Sequence, residues 1–266
     1  MNSNQLPALT GDLPSYIAGV PAESSDVVEV FDPYSGQRVG SVANVTPAQL
    51  EQAIVAADAG NPALSRYDRQ QILQKTSQLL AERAEEFAQL IRWEAGLCMR
   101  ETRYEVGRAQ DVLQFSAMEA LRDDGQIFSC DLTAHGKQRK IFTVREPLQL
   151  VAAITPFNHP LNQVVHKLGP AVAAGAPVIL KPSEKTPLTA VRFAELLYEA
   201  GLPGSMLSVL LGPIDEVVQP LIRDPRVELV SFTGSVAVGK EIAETAGYKK
   251  LCLELGGNSP LIILAD

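Results

Sequence analysis

The chain has 266 residues, of which 46% are hydrophobic and 20% charged, and its formal net charge is −8. This composition favours a folded protein with a sizeable core over a disordered one, and the negative charge argues against a nucleic-acid partner. No apolar run approaches the length of a membrane span, and the N-terminus lacks the apolar core of a signal peptide. We therefore expect a cytoplasmic protein without a membrane partner. The three cysteines are scattered and suggest neither a disulfide framework nor a metal site.

The first half of the chain predicts a loosely attached N-terminal arm over residues 1–25, followed by a hairpin and several helices. The predicted elements are a strand at 27–31, a hairpin partner at 39–42, helices from Thr46-Pro47, at about 66–95 and at about 100–121, and strands at 127–132 and 139–145. The last two strands form a protruding β-ribbon within residues 127–147. Such a ribbon suits oligomerisation or packing better than catalysis.

The helix at 100–121 carries an arginine at or beside a face that is otherwise apolar. The residues that share this face, at i, i+4, i+8 and i+11, are Tyr104, Arg108, Val112 and Phe115. Two ordinary explanations exist: Arg108 pairs with Glu101 or Glu105, or it lies on the surface with its stem over apolar neighbours. Neither explanation requires a binding site.

Residues 150–182 organise the second half of the chain. An apolar strand at 151–154 is followed by a loop that holds Asn158 between two prolines, a helix at 161–175, and a second apolar strand at 177–180. Strand, loop, helix and strand make a βαβ unit, whose loops gather at the carboxyl ends of the strands. Open α/β sheets bind their ligands at that edge, and both Asn158 and Lys181 fall there.

The same alternation of strands and helices continues to the end of the chain. The predicted elements are helices at 186–200, 215–223 and 236–246, and strands at 207–211, 227–231, 250–253 and 261–264. The sequence therefore predicts an α/β fold with a parallel sheet.

Glycine, hydroxyl and charged residues at these strand ends are suited to a nucleotide. Gly234 and Gly239 lie where a strand meets a helix, and such a junction offers free N–H groups and the positive end of a dipole to a pyrophosphate. The spacing is not the G-x-G-x-x-G fingerprint, and a single Gly-Ser turn is weak evidence. Lys181 and Glu184 could reach ribose hydroxyls, and Glu184 would repel a 2′-phosphate. Taken singly, each of these charges is typical of a solvated loop residue.

Asn158 and Glu254 are the candidate catalytic groups. A rigid neutral amide such as that of Asn158 suits an oxyanion hole, although asparagine between prolines also simply forms turns. Glu254 ends an apolar strand before two glycines, where a partly desolvated carboxylate could act as a general base. The alternative for Glu254 is a capping or ion-paired role.

Four motifs taken together resemble the aldehyde dehydrogenase family. They are Thr155-Pro156-Phe157-Asn158, Lys181-Pro182-Ser183-Glu184, Phe232-Thr233-Gly234-Ser235 and Glu254-Leu255-Gly256-Gly257. The resemblance extends from about residue 27 to the C-terminus. It implies a Rossmann-like sheet with helices on both faces, bridged by the ribbon. The implied reaction is thiol attack on an aldehyde, hydride transfer to NAD, and hydrolysis of the thioester.

The resemblance also assigns residues to roles. Asn158 becomes the oxyanion-hole amide and Glu254 the general base. The implied NAD-binding residues are Ile154, Thr155, Pro156, Phe157, Lys181, Ser183, Glu184, Gly212, Phe232, Thr233, Gly234, Ser235, Val238, Leu255 and Gly256. The implied domain plan places the N-terminal part of the coenzyme domain at 26–126, the ribbon at 127–147 and the NAD-binding core at 148–266. A homodimer or homotetramer is expected.

The chain departs from the family pattern at the site and at its cysteines. Phe157 replaces a tryptophan, and His159 stands where many relatives have an apolar residue. The nucleophilic cysteine of the family is expected beyond residue 266, with the small catalytic domain, so this chain alone should not turn over. None of the three cysteines matches its context, and Cys252, in a strand, is expected to be an inert core thiol.

In relatives, the helix that carries Arg108 lines the substrate funnel, which usually has apolar and aromatic walls, and His159 adjoins the site in sequence. Two potential cations there suggest an anionic substrate. The pair resembles the phosphonoacetaldehyde dehydrogenase branch, in which a phosphonate must be held. A semialdehyde or a phosphorylated aldehyde would be served by similar cations. A different interpretation is a non-catalytic chain that binds a nucleotide or pairs with an intact subunit.

Overall fold

The computed structural model describes residues 9–59, 62–122 and 125–264. The strands are β1 (Gly11–Leu13), β2 (Ser15–Ile17), β3 (Val20–Ala22), β4 (Val27–Phe31), β5 (Arg38–Ala43), β6 (Ile127–Ser129), β7 (Lys140–Phe142), β8 (Val151–Ile154), β9 (Val178–Lys181), β10 (Leu207–Val209), β11 (Leu229–Thr233) and β12 (Lys250–Glu254). The helices are α1 (Pro47–Ala59), α2 (Arg66–Glu82), α3 (Ala84–Ala95), α4 (Met99–Ala120), α5 (Asn162–Ala174), α6 (Pro187–Glu199), α7 (Gln219–Arg223) and α8 (Val236–Thr245). A 3-10 turn (Gly204–Met206) precedes β10, and a π-helical turn (Ile214–Val218) precedes α7.

A seven-stranded sheet forms the centre of the molecule, in the order β12-β11-β8-β9-β10-β2-β3. The first five strands are parallel, and the β2–β3 hairpin extends the sheet in the antiparallel sense. Side chains of β8 alternate between two cores: Val151 and Ala153 pack toward the side of α2–α6, and Ala152 and Ile154 toward the side of α1, α7 and α8. The predicted α/β fold, with a parallel sheet covered on both faces, is confirmed.

Residues 9–25 are more tightly attached than the sequence predicts, and the rest of the predicted arm, residues 1–8, lies outside the described residues. Instead of a loose arm, β2 and β3 pair with the main sheet and β1 pairs with β5 of a three-stranded sheet, β1-β5-β4. Ser15 is buried, and its Oγ donates to the carbonyl of Ala43 and accepts from the N–H of Leu211. These long-range bonds fix the segment, and no local pattern in residues 9–25 indicates them.

The long helix predicted at 66–95 is two helices, which meet at Arg83. Residues 82–84 contain neither glycine nor proline, so the break has no local signal. It is accompanied by a tertiary contact, because Arg83 Nη2 lies 2.9 Å and 2.8 Å from the two carboxylate oxygens of Glu199 on α6. The turn lets α3 bury Phe87, Leu90 and Ile91 in the core.

The strand predicted at 261–264 is absent. Leu261, Ile262, Ile263 and Leu264 belong to no strand or helix and are highly exposed. A strand requires a hydrogen-bonded neighbour, and none of the described residues pairs with this segment.

The β-ribbon is confirmed as an antiparallel pair of β6 and β7, shorter than predicted. Its six residues are all exposed, including Ile127, Phe128 and Phe142. A two-stranded ribbon with apolar side chains on both faces is marginal by itself, which agrees with the predicted packing or oligomerisation role. That role and the domain boundaries remain predictions. Among the described residues, no helix is both long and apolar enough to cross a membrane.

Candidate active site

Four neighbouring strands carry the four motifs, and all four motifs lie at the same edge of the sheet. In the order β12-β11-β8-β9, the strands are parallel, so their carboxyl ends coincide. Glu254 ends β12, Thr233 ends β11, and Lys181 ends β9. The loop that contains Asn158 follows β8. The structure therefore brings together residues from four separate stretches, as the carboxyl-end rule predicts.

The Asn158 loop is fastened to the loop that follows β9. The N–H of Thr155 donates to the carbonyl of Lys181 at 3.2 Å, and the hydroxyl of Thr186 donates to the carbonyl of Phe157 at 3.5 Å. Thr155 is buried, Pro156 is half-buried, and Asn158 is exposed. These two hydrogen bonds fix the backbone of the loop, while the Asn158 amide remains accessible to solvent. An accessible amide on a fixed backbone suits oxyanion stabilisation.

A lysine–carboxylate pair occupies the end of β9. Lys181 is buried, and its Nζ pairs with Glu184, whose side chain is partly exposed. Ser183 Oγ accepts from the N–H of Lys185, and Lys185 Nζ lies 4.5 Å from the centroid of the Phe157 ring. The pair thus places a buried donor beside a partly exposed acceptor, next to the half-exposed aromatic face of Phe157.

The helix α8 begins at the end of β11. Ser235 is its N-cap, and the Ser235 hydroxyl oxygen accepts from the N–H of Val238 at 3.3 Å. Leu255 covers the first turn so closely that a Cβ on Gly239 would lie 2.3 Å from Leu255 Cδ2. The glycine therefore permits this approach, and the exposed residues Ser235 and Val238 remain at the positive end of the helix.

Three of the predicted coenzyme residues lie deeper. Ile154 and Phe232 are buried strand residues that belong to the core under α1, α7 and α8. Gly212 follows β10, and a Cβ there would lie 2.5 Å from Val217 Cγ2. These three residues are buried beneath the loops at the carboxyl edge of the sheet. Thr233 and Gly234 are half-buried at that edge, and Gly256 is exposed.

Glu254 and Cys252 are more exposed than expected. Glu254 is exposed rather than partly desolvated, and its backbone carbonyl accepts from the N–H of Gly234 at 3.0 Å. Cys252 is exposed as well, which corrects the expectation of a core thiol. Both lie on β12, the outermost strand of the sheet, so one side of their strand has no neighbour among the described residues.

Lys167 is a site residue that the sequence reasoning missed. It is buried on α5, and its Nζ donates to the hydroxyls of Ser231 and Thr233 at 3.0 Å each. Burial lowers the pKa of Lys167 to about 8, against the opposing effects of Cys252 and Glu254. The available signal was a lysine among the apolar residues of a predicted helix face.

The shifted pKa of Lys167 predicts a specific dependence of stability on pH. Between about pH 8 and 10.5 the folded protein has released this proton while the unfolded chain still holds it, so stability should rise with pH there. Below pH 8 the cost of burying the charge applies in full. Urea unfolding of the wild type and of Lys167→Met measures this effect. From pH 8 to 10.5 the free energy of unfolding of the wild type should rise by up to about 3 kcal/mol relative to that of Lys167→Met. A difference that does not change with pH would contradict the assignment.

The structure separates the two candidate substrate cations into different environments. Arg108 is exposed, and its Nη1 lies 3.4 Å from the hydroxyl of Tyr104, so neither predicted salt bridge forms. Glu101 pairs with Arg100 instead, and Glu105 turns inward.

The face of α4 that carries Arg108 is open to solvent. Tyr104 and Phe115 are both largely exposed there. His159 is half-exposed and lies 3.4 Å, through Nδ1, from Glu105 Oε2. Among the described residues, no cluster of three or more His, Cys, Asp or Glu side chains could hold a metal ion.

The fold and this edge define a doubly wound α/β domain whose functional groups lie at the carboxyl ends of its parallel strands. Residues 20–266 match the aldehyde dehydrogenase family. The chain belongs to that family.

Relatives support the same assignment. The chain is 42% identical to 3-sulfolactaldehyde dehydrogenase from Priestia aryabhattai and 34% identical to glutarate-semialdehyde dehydrogenase from Pseudomonas putida. These matches cover 94% and 95% of the chain and 53% of each relative. The NADP-dependent glyceraldehyde-3-phosphate dehydrogenase from Bacillus halodurans, solved with NADP, superposes with a TM-score of 0.90 at 30% identity, over 96% of this chain and 55% of that one. The chain thus spans about half the length of the relatives it matches.

Proposed function

We propose that this chain is the coenzyme-binding part of an NAD-dependent dehydrogenase that oxidises a small anionic aldehyde to a carboxylate. The observation that carries the proposal is the alignment of four family motifs on four adjacent parallel strands, with Asn158 exposed on a fixed loop. We further propose that the protein is cytoplasmic and acts as a homodimer or homotetramer, with the exposed ribbon in the interface.

The residues at this edge fit a dinucleotide. The Lys181–Glu184 pair offers a donor and an acceptor to the two hydroxyls of a ribose, and the first turn of α8 at Ser235 suits a pyrophosphate. The carboxylate of Glu184 would repel a 2′-phosphate, which favours NAD over NADP. Bound there, NAD would accept the hydride of the substrate.

The catalytic residues of this chain would act on charge and on protons. The Asn158 amide would donate to the aldehyde oxygen as it becomes negatively charged. Glu254, exposed at the end of β12, would remove a proton from water or from the thiol. We propose that the thiol itself is contributed from outside residues 1–266.

The proposal of an anionic substrate depends on Arg108 and His159. His159 follows Asn158 in the sequence and contributes an imidazole, and Arg108 contributes a guanidinium from α4. Two relatives are named for aldehydes that carry an anion, a sulfonate in one and a carboxylate in the other. Phosphonoacetaldehyde is our first candidate, since an arginine can bind two phosphonate oxygens at once. A semialdehyde, a sulfonated aldehyde or a phosphorylated aldehyde is the alternative.

The decisive experiment measures NAD reduction by a full-length protein that carries this sequence. Arg108→Ala should raise KM about tenfold or more for phosphonoacetaldehyde or 3-sulfolactaldehyde, and little for propanal, because only the anions lose a charged hydrogen bond. Arg103→Ala is the matched control, since Arg103 lies on the same helix but pairs with Glu85. Equal changes in KM for charged and neutral aldehydes would contradict the anionic substrate.

Coenzyme choice is tested separately by Glu184→Gln. Removing the carboxylate should lower the ratio of NADP to NAD dissociation constants by roughly 10-fold or more, because the repulsion of the 2′-phosphate is lost. Titration of the chain with each coenzyme measures this ratio. Glu199→Gln, at the far end of α6, should leave it unchanged. An unchanged ratio in Glu184→Gln would separate Glu184 from coenzyme choice.

A further inference from the structure

A buried carboxylate connects α4, the N-terminus of α5 and the residue that follows Asn158. The Glu105 side chain is 1% exposed. Its Oε1 accepts from the N–H groups of Leu161 and Asn162 at 2.9 Å and 3.0 Å. Its Oε2 lies 3.4 Å from Nδ1 of His159. Since one oxygen is committed to the helix N-terminus, the other is left for the histidine.

This contact fixes how His159 faces the site. A carboxylate can only accept, so the hydrogen between Oε2 and Nδ1 belongs to the imidazole. The neutral ring is then the Nδ1–H tautomer, and in the protonated ring Nε2 also becomes a donor. The His159 side chain is 50% exposed, so the ring is anchored on its Nδ1 side and otherwise accessible. Its backbone directly follows the exposed Asn158.

Further positive charges lie on the two helices that Glu105 connects, Arg108 on α4 and Lys167 on α5. Arg108 lies on α4 one turn after Glu105, and on α5 the pKa of His166 is lowered by burial and by the positive charges of Arg108 and Lys167. Burial raises the pKa of Glu105, whereas its two backbone donors and His159 favour the ionised form. With Nδ1 facing Glu105, a substrate anion on the open side of the ring would meet Nε2.

We propose that Glu105 is a positioning residue, which holds His159 by Nδ1 and presents the Nε2–H of the protonated ring to the anionic group of the substrate beside the Asn158 amide. The proposal rests on the proposed function, since it names the group that aims one of the two substrate cations. Glu105 itself does not touch the substrate. It couples the orientation of His159 to the N-terminus of α5.

The chain offers a matched control for this role, because it has a second buried glutamate in an equivalent position. Glu94 accepts from the N–H groups of Leu188 and Thr189 at the start of α6, as Glu105 does at the start of α5. Both oxygens of Glu94 are used by these backbone groups rather than by a histidine. Glu94→Gln therefore reproduces the loss of a buried capping carboxylate without disturbing His159. Glu105→Gln should turn its amide N–H₂ toward Nδ1, since its oxygen remains with the helix N–H groups.

The first measurement is the ¹⁵N spectrum of the three imidazoles, above the pH at which they titrate. Wild type and Glu94→Gln should show His159 as the Nδ1–H tautomer, and Glu105→Gln should convert it to Nε2–H. His135 and His166 serve as internal references. The wild-type spectrum decides the matter even if a variant fails to fold, because an Nε2–H tautomer there would overturn the proposal.

The second measurement is titration with phosphonoacetate at pH 6, followed at the His159 signals. Glu105→Gln should weaken binding about tenfold, and Glu94→Gln should stay within about twofold of wild type. If phosphonoacetate binds equally well to Glu105→Gln, the positioning role is wrong while the anionic pocket stands. If the tautomer is as expected but phosphonoacetate leaves His159 unmoved, the anionic substrate of the proposed function fails, and the role of Glu105 in holding it fails too.

Discussion

Asn158→Ala in a full-length protein that carries this sequence should lower kcat by roughly 10²–10³-fold, with little change in the dissociation constant for NAD. The amide is exposed, while the backbone of its loop is held by the Thr155–Lys181 and Thr186–Phe157 hydrogen bonds. Alanine should leave that frame intact and remove only the donor. Because the donor acts on charge that develops during the reaction, the effect belongs in kcat rather than in KM.

Asn158→Asp separates the chemistry from the space that the side chain fills. Aspartate has the same shape but cannot donate when ionised, and its charge opposes that of an oxyanion. It should therefore be at least as damaging as alanine. Steady-state kinetics with coenzyme titration measures both variants. Near-normal kcat in Asn158→Asp would remove Asn158 from the oxyanion role.

Phe193→Ala should lower the free energy of unfolding by about 3–5 kcal/mol. Phe193 lies on α6, is fully buried, and belongs to the larger of the two cores. The substitution deletes a ring at the centre of the layer that α6 forms against the sheet, and close-packed neighbours can collapse into the space only in part. For a domain of ordinary stability this is a large fraction of the total.

Phe115→Ala is the matched control for that loss. Phe115 is 65% exposed on α4, so its removal should change stability by less than about 0.5 kcal/mol. Urea unfolding followed by circular dichroism measures both variants under the same conditions. A loss below about 1 kcal/mol for Phe193→Ala would mean that the α6 layer is not packed as the structure shows.

The sequence by itself determined the scaffold of the site. The alternation in β4, the short apolar run of β8, and the proline and glycine signals at the ends of α5 and α6 are local properties. These four elements were therefore predicted within a residue or two. Once strands and helices alternate, each crossover helix returns the chain to a parallel strand, so the carboxyl ends of the strands fall at one edge of the sheet. That is why the amino-acid sequence alone was enough to expect Asn158, Lys181, Ser235 and Glu254 together.

Only the tertiary structure decided how individual side chains are used within that scaffold. Lys167, Glu105 and Arg83 owe their roles to partners 64, 56 and 116 residues away, and Cys252 owes its exposure to lying on the last strand of the sheet. No local pattern records such contacts, because burial and hydrogen bonding are set by whichever segment the fold brings alongside. The chain therefore indicated its strands, its helices and the edge where they meet. Which charges lie inside that edge, and which ring is held by which carboxylate, depended on packing between distant segments.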